Sequence, residues 1–108
     1  MPDSRRQRIE AMLAVDPADQ FLRYSLAMEL EKEAEHERSL SGLRDLQHVT
    51  PPYVPAFFMA AQQLVKLARI PEARETLRLG IDEARQQGNA HAAGEMSELL
   101  ASLGRERE

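Results

Sequence analysis

The chain has 108 residues, a formal net charge of -4, 43% hydrophobic and 30% charged residues, and no cysteine. That length bounds it to one domain with one modest core, and the composition excludes wholesale disorder. The interspersed charges exclude a general attraction to nucleic acid or anionic membrane, and the missing cysteine excludes disulfides, thiolate chemistry and cysteine-bound zinc.

The residue usage favours helix throughout, and runs of valine, isoleucine and threonine that would mark strands are missing. A first helix is predicted from about Ser4 to Val15, with Ile9, Met12 and Leu13 on one face. Its basic start (Arg5, Arg6, Arg8) is flanked by Asp3 and Glu10 and reads as a solvated helix face. The amphipathic pattern after Arg8 is not that of a secretory leader. A second helix starts between Asp16 and Asp19, where an acid caps free amides, and carries the stripe Leu22, Leu26, Ala27, Leu30. It breaks near Ala34 and Glu35. Ser39, Leu43 and Leu46 then carry a third helix, which the tandem prolines Pro51 and Pro52 stop.

The fourth helix opens near Val54 and Pro55 and runs through Phe57, Ala60, Ala61 and Leu64 to a turn at Arg69 and Ile70. The stretch Tyr53–Ala61 is the most apolar of the chain, yet far too short to span a bilayer. Pro71 suits the first turn of a fifth helix bearing Ala73, Leu77, Gly80, Ile81 and Ala84, which ends at Gly88. Asn89 caps a last helix with Ala92, Ala93, Met96, Leu99, Leu100 and Leu103, stopped by Gly104 and followed by a mobile tail, Arg105–Glu108.

The interval from Pro17 to Pro51 is a helical-repeat period, and sliding the chain by it brings like onto like. Leu26-Ala27 falls on Ala60-Ala61, Leu30 on Leu64, Lys32 on Lys66, Ala34 on Ala68 and Leu43 on Leu77. With these matches the chain resembles the tetratricopeptide repeat family, in particular its small stand-alone bacterial members. Phe57, Ala60-Ala61 and Leu64 fit the family's first helix, and Ala73, Leu77 and Gly80 its second. Arg23 stands where a bulky aromatic is usual, Arg85 replaces a closing proline, and Ala34 and Ala68 occupy a turn position that is often glycine. The resemblance implies an all-α fold of antiparallel helix pairs stacked as a short α-solenoid with a C-terminal capping helix. A half-unit would cover about 4–16, unit one about 17–51, unit two about 52–87 and the capping helix about 89–104.

By the same resemblance, the first helices of successive units line a concave groove that binds a segment of another protein. Its positions here are Phe21, Tyr24, Met28, Glu31, Lys32, Pro55, Phe58, Gln62, Val65 and Lys66. The partner-binding candidates are Phe21, Tyr24, Met28, Lys32, Phe58, Gln62, Val65 and Lys66, of which Phe21, Tyr24, Met28 and Phe58 lie off the core stripe of Leu26, Leu30, Phe57 and Leu64. Groove and core both remain open for Phe21 and Tyr24, because the first helix offers Ile9, Met12 and Leu13 to pack against. The lysine and asparagine clamp that some family members close on a terminal carboxylate is not encoded. A fitting partner is a protein or peptide segment with an apolar anchor and an acidic group.

His36, His48 and His91 have no metal-ligand spacing, and neither a nucleophile elbow nor a glycine-rich phosphate loop is present. The expectation is a cytoplasmic, non-enzymatic scaffold for protein binding, with no cofactor and no metal, no nucleic acid and no membrane. The alternative is a structural protein that self-associates as a homodimer, since two complete units fall short of the three a stable stack usually needs.

Overall fold

The computed structural model describes residues 4–107, so Asp3 and Glu108 lie outside the described residues. Six helices follow in order: α1 Arg5–Val15, α2 Gln20–Lys32, α3 His36–Gln47, α4 Val54–Lys66, α5 Ile70–Gln86 and α6 Ala90–Arg107. No strand occurs among the described residues. Each helix packs on the next, and α4 also touches α6, so even-numbered helices form one layer and odd-numbered helices the other. The result is an elongated stack of 50 × 29 × 18 Å.

Local chemistry sets the helix ends. Ser4 and Gln7 form a reciprocal capping box on α1. The Asp19 carboxylate accepts from Leu22 N at 2.9 Å, and Asn89 Oδ1 accepts from Ala92 N at 3.1 Å. Proline enters the first turn of α4 and of α5, where its missing N–H breaks no ladder. Helices α2, α4 and α5 leave through one motif, a residue in the left-handed region: Ala34 at φ 62°, Ala68 at 60° and Gly88 at 72°. At each exit the next amide reaches back to a carbonyl in the last turn of the helix: Glu35 to Leu30, Arg69 to Leu64 and Asn89 to Ala84, all at 2.8 Å.

The core runs from α2 to α6, from Ala27 through Leu43, Leu46, Leu64, Leu77 and Met96 to Leu103. Gly80 sits at its tightest point. A Cβ there would stand 2.6 Å from both Phe57 Cβ and Met96 Sδ, so a side chain would hold α4, α5 and α6 apart. Helix α1 is attached more lightly. Ile9 is its one buried side chain, and Arg5–Glu29 and Arg6–Glu33 ion pairs at 3.2 and 2.9 Å tie it to α2.

Several expectations need correction. Helix α3 ends at Gln47, well ahead of Pro51, where His48 turns back on Asp45 and Arg44. Gly104 does not stop the last helix, which runs on through Arg107. Leu103, just ahead of Gly104, is buried and its carbonyl accepts from Arg74. Leu26 is only half-buried and lines a surface depression between α2 and α3.

Candidate partner-binding groove

The even-numbered layer carries a cavity of about 480 Å³ between α2, α4 and α6. Met28, Glu31 and Lys32 come from the last two turns of α2. Helix α4 contributes Phe58, Met59, Gln62, Gln63, Val65 and Lys66, and α6 contributes Leu99. Six of the eight residues proposed from the sequence therefore meet there: Met28, Lys32, Phe58, Gln62, Val65 and Lys66. Their meeting follows from helix geometry, because the C-terminal halves of α2 and α4 lie side by side in one layer and α6 closes the far wall. Phe58, Met59, Val65 and Leu99 also rest on the core, so the apolar lining is firmly backed.

Phe21 and Tyr24 do not line this cavity. Phe21 is 66% exposed near the start of α2, so α1 does not cover it. Tyr24 is half-buried against Tyr53, with ring centroids 5.6 Å apart and planes tilted by 57°. Burial, together with the facing ring, raises the Tyr24 phenol above its ordinary pKa. Burial and then the nearby Asp19 carboxylate raise that of Tyr53. The pair braces the start of α4 against α2.

The rim charges differ between repeats. Lys32 is held 3.1 Å from Glu29 Oε2, which also receives Arg5. Lys66, in the equivalent place of the next repeat, makes no ion pair among the described residues, because Gln63 stands where Glu29 stood. Gln63 is 2% exposed and donates through Nε2 to Ser39 Oγ at 3.0 Å; Ser39 in turn donates to the Ala27 carbonyl at 2.7 Å. The same repeat position thus carries an Arg5–Glu29 ion pair in unit one and a Ser39–Gln63 hydrogen bond in unit two. Met59, Gln63 and Leu99 escaped the sequence reading. Gln63 shares its repeat position with Glu29, and the structure buries both polar side chains.

The histidines are scattered. His91 lies beside Glu95 on exposed α6, His48 bonds the Arg44 carbonyl, and His36 starts α3. No group of three or more histidine, aspartate or glutamate side chains able to hold a metal occurs among the described residues. No helix among them is long and apolar enough to cross a membrane.

No family model and no curated protein matches the chain. Solved structures do. The solution structure of a tetratricopeptide repeat domain protein from Salinibacter ruber superposes with a TM-score of 0.75 at 29% identity, over 81% of this chain and 88% of that one. A crystal structure of such a domain protein from the same organism gives 0.71 at 28% identity, over 80% and 96%. The solution structure of a protein from Bordetella parapertussis gives 0.81 at 25% identity, over 97% and 91%. With the helix pairing, the left-handed exits of Ala34 and Ala68 at matching repeat positions and these neighbours together, the chain is a small tetratricopeptide-repeat-like protein.

Proposed function

We propose that this protein is a protein-interaction module that receives a segment of a partner in the groove between α2, α4 and α6. In this reading a half-unit at about 4–16, units at about 17–51 and 52–87 and a capping helix at about 89–104 together shape the groove. The observation that carries the reading is the cavity itself, in which Met28, Phe58, Met59, Val65 and Leu99 form apolar walls beneath the unpaired ammonium of Lys66. Two methionines give such a wall an adaptable surface, and a firmly backed apolar pocket is where an anchor side chain gains most on desolvation. The partner segment carries an apolar anchor and, beside it, a carboxylate for Lys66. The reading is of a binding protein, in keeping with the tetratricopeptide-repeat-like fold.

Selection from a displayed peptide library against the folded protein tests this. Enriched sequences should pair an apolar residue with an acid, and Lys66→Glu should weaken them by about tenfold, as loss of a charged hydrogen bond does. Enriched peptides that bind Lys66→Glu unchanged would overturn the placement.

One observation favours self-association as a second reading: Met12, Val15 and Phe21 are 49%, 87% and 66% exposed at the N-terminal end. Met12 stands one repeat before Leu46, which is fully buried, so the half-unit leaves open a position that a complete unit closes. Light scattering over a dilution series, repeated on Val15→Lys, separates the two readings. A dimer lost in Val15→Lys supports the second, and a monomer throughout eliminates it.

A further inference from the structure

The Gln63 side chain is oriented by its neighbours. Ser39 has one hydroxyl proton, and its 2.7 Å bond to the Ala27 carbonyl uses it. The Ser39 oxygen is left only as an acceptor, which fixes the Gln63 amide with Nε2 toward Ser39 and Oε1 away from it. That oxygen is buried and has no hydrogen-bond partner. A buried acceptor without a partner is costly, and native proteins seldom keep one without a use. Gln63 also forms part of the cavity wall, one turn after Met59 on α4.

We infer that the groove selects an aromatic anchor that carries its own hydrogen-bond donor, an indole N–H or a phenol O–H, which Gln63 Oε1 accepts as the ring enters between Met28, Phe58 and Met59. This rests on the reading of the cavity as the partner-binding groove and names the chemistry of what enters it. The ring satisfies the apolar lining, and methionine sulfurs make favourable contacts with aromatic edges. The donor satisfies the acceptor that the fold leaves without a partner. Oε1 is buried in the free protein, so the ring reaches it as the flexible methionine lining of the cavity shifts. The free Lys66 ammonium, one turn beyond Gln63, takes a carboxylate next to the anchor in the partner chain. In unit one the same level is closed: Glu29 is spent on Arg5 and Lys32. The acceptor and free cation therefore mark unit two as the selective half of the groove.

The smallest probe is N-acetyl-tryptophan, which carries ring, donor and carboxylate together. Its binding is followed through isotope-labelled methionine methyl groups, since Met28 and Met59 line the cavity while Met12 and Met96 lie elsewhere. Titration should shift Met28 and Met59 and leave Met12 in place. The analogue methylated on the indole nitrogen should bind about tenfold more weakly, and the amide in place of the carboxylate should weaken binding but keep the same shifts. Gln63→Met keeps volume and should bind the indole and its methylated analogue alike. Equal binding of the two ligands to the native chain would overturn the donor selection while leaving the groove in place. Failure of every compound to move Met28 and Met59 would overturn the groove as well.

Discussion

Replacing Gly80 by alanine adds a single methyl group to the middle of α5, where two effects of known sign compete. An alanine in a helix interior is favoured over glycine by about 1 kcal/mol. Against this, the new Cβ would lie 2.6 Å from Phe57 Cβ and from Met96 Sδ, and 3.0 Å from Phe57 Cγ. Carbon contacts are normally about 3.5–4 Å, so the methyl intrudes by roughly 1 Å on two sides. Phe57 Cβ is fixed to the α4 backbone, and Met96 is fully buried. Relief requires α5 to move off α4 and α6, and such overpacking costs about 1–3 kcal/mol. The net expectation is a loss of about 0–2 kcal/mol, or up to roughly 10 °C in Tm for a domain of this size. Gly94→Ala supplies the control. It lies inside α6 with nothing within 4 Å of the added Cβ, so only the propensity gain applies and Tm should rise by a few degrees. Thermal and urea melts followed by circular dichroism read both. If Gly80→Ala stabilises the protein as Gly94→Ala does, the close three-helix packing at Gly80 is wrong.

Ala68→Gly, and separately Ala34→Gly, should raise stability by about 0.5–1 kcal/mol in the same melts, because both alanines occupy the left-handed region at a cost that glycine avoids. Burial raises both phenols, so the ultraviolet titration of the two tyrosines should run above the ordinary value near 10. The raised pKa values lie above the unfolded ones, so folding holds the phenol protons more tightly and the sign is that of a group destabilised by ionisation. Native stability is therefore unaffected by these groups below the ordinary phenol range and falls as pH rises through it toward the raised values. Titration at the ordinary value would mean that Tyr24 and Tyr53 are solvated. Amide exchange should be fastest in α1, which buries only Ile9, and faster still in high salt, which screens Arg5–Glu29 and Arg6–Glu33. Protection of α1 equal to that of α5 would contradict its light attachment.

The architecture was legible because each local signal agreed with the period. Asp19 and Asn89 cap where their chemistry requires, and Ala34 and Ala68 take the left-handed exit that their repeat position demands. Errors arose where tertiary contacts overrule local preference. Gly104 is a poor helix former, yet α6 runs through it from a Leu103 that is buried and bonded by Arg74. Leu26 fits the apolar stripe, but it faces an open depression between α2 and α3 and is only half-buried. Of the groove, the residues whose helix positions repeat were legible. Leu99 was not, because α6 was read as a cap and not as a wall. Gln63 was not, because a polar side chain beside the exposed Gln62 reads as surface until its distant Ser39 partner is placed. Phe58 was set apart from the core by its stripe position, yet it packs on the core from the groove side. Its truncation to alanine should cost about 1–2 kcal/mol, less than for a fully buried phenylalanine but not negligible.

The central claim is that partners dock between α2, α4 and α6, and it is tested most directly by binding measurements on variants that leave the core alone. Gln62→Arg places a bulky side chain at the exposed mouth of the cavity, Lys66→Glu reverses the free cation, and Leu79→Ala removes a 52% exposed side chain on α5. Against a peptide selected by the native chain, the first two should weaken binding by about tenfold or more at unchanged Tm, and Leu79→Ala should leave it intact. Native affinity in both groove variants, with loss in Leu79→Ala, would place the binding face on the odd-numbered layer and contradict the account.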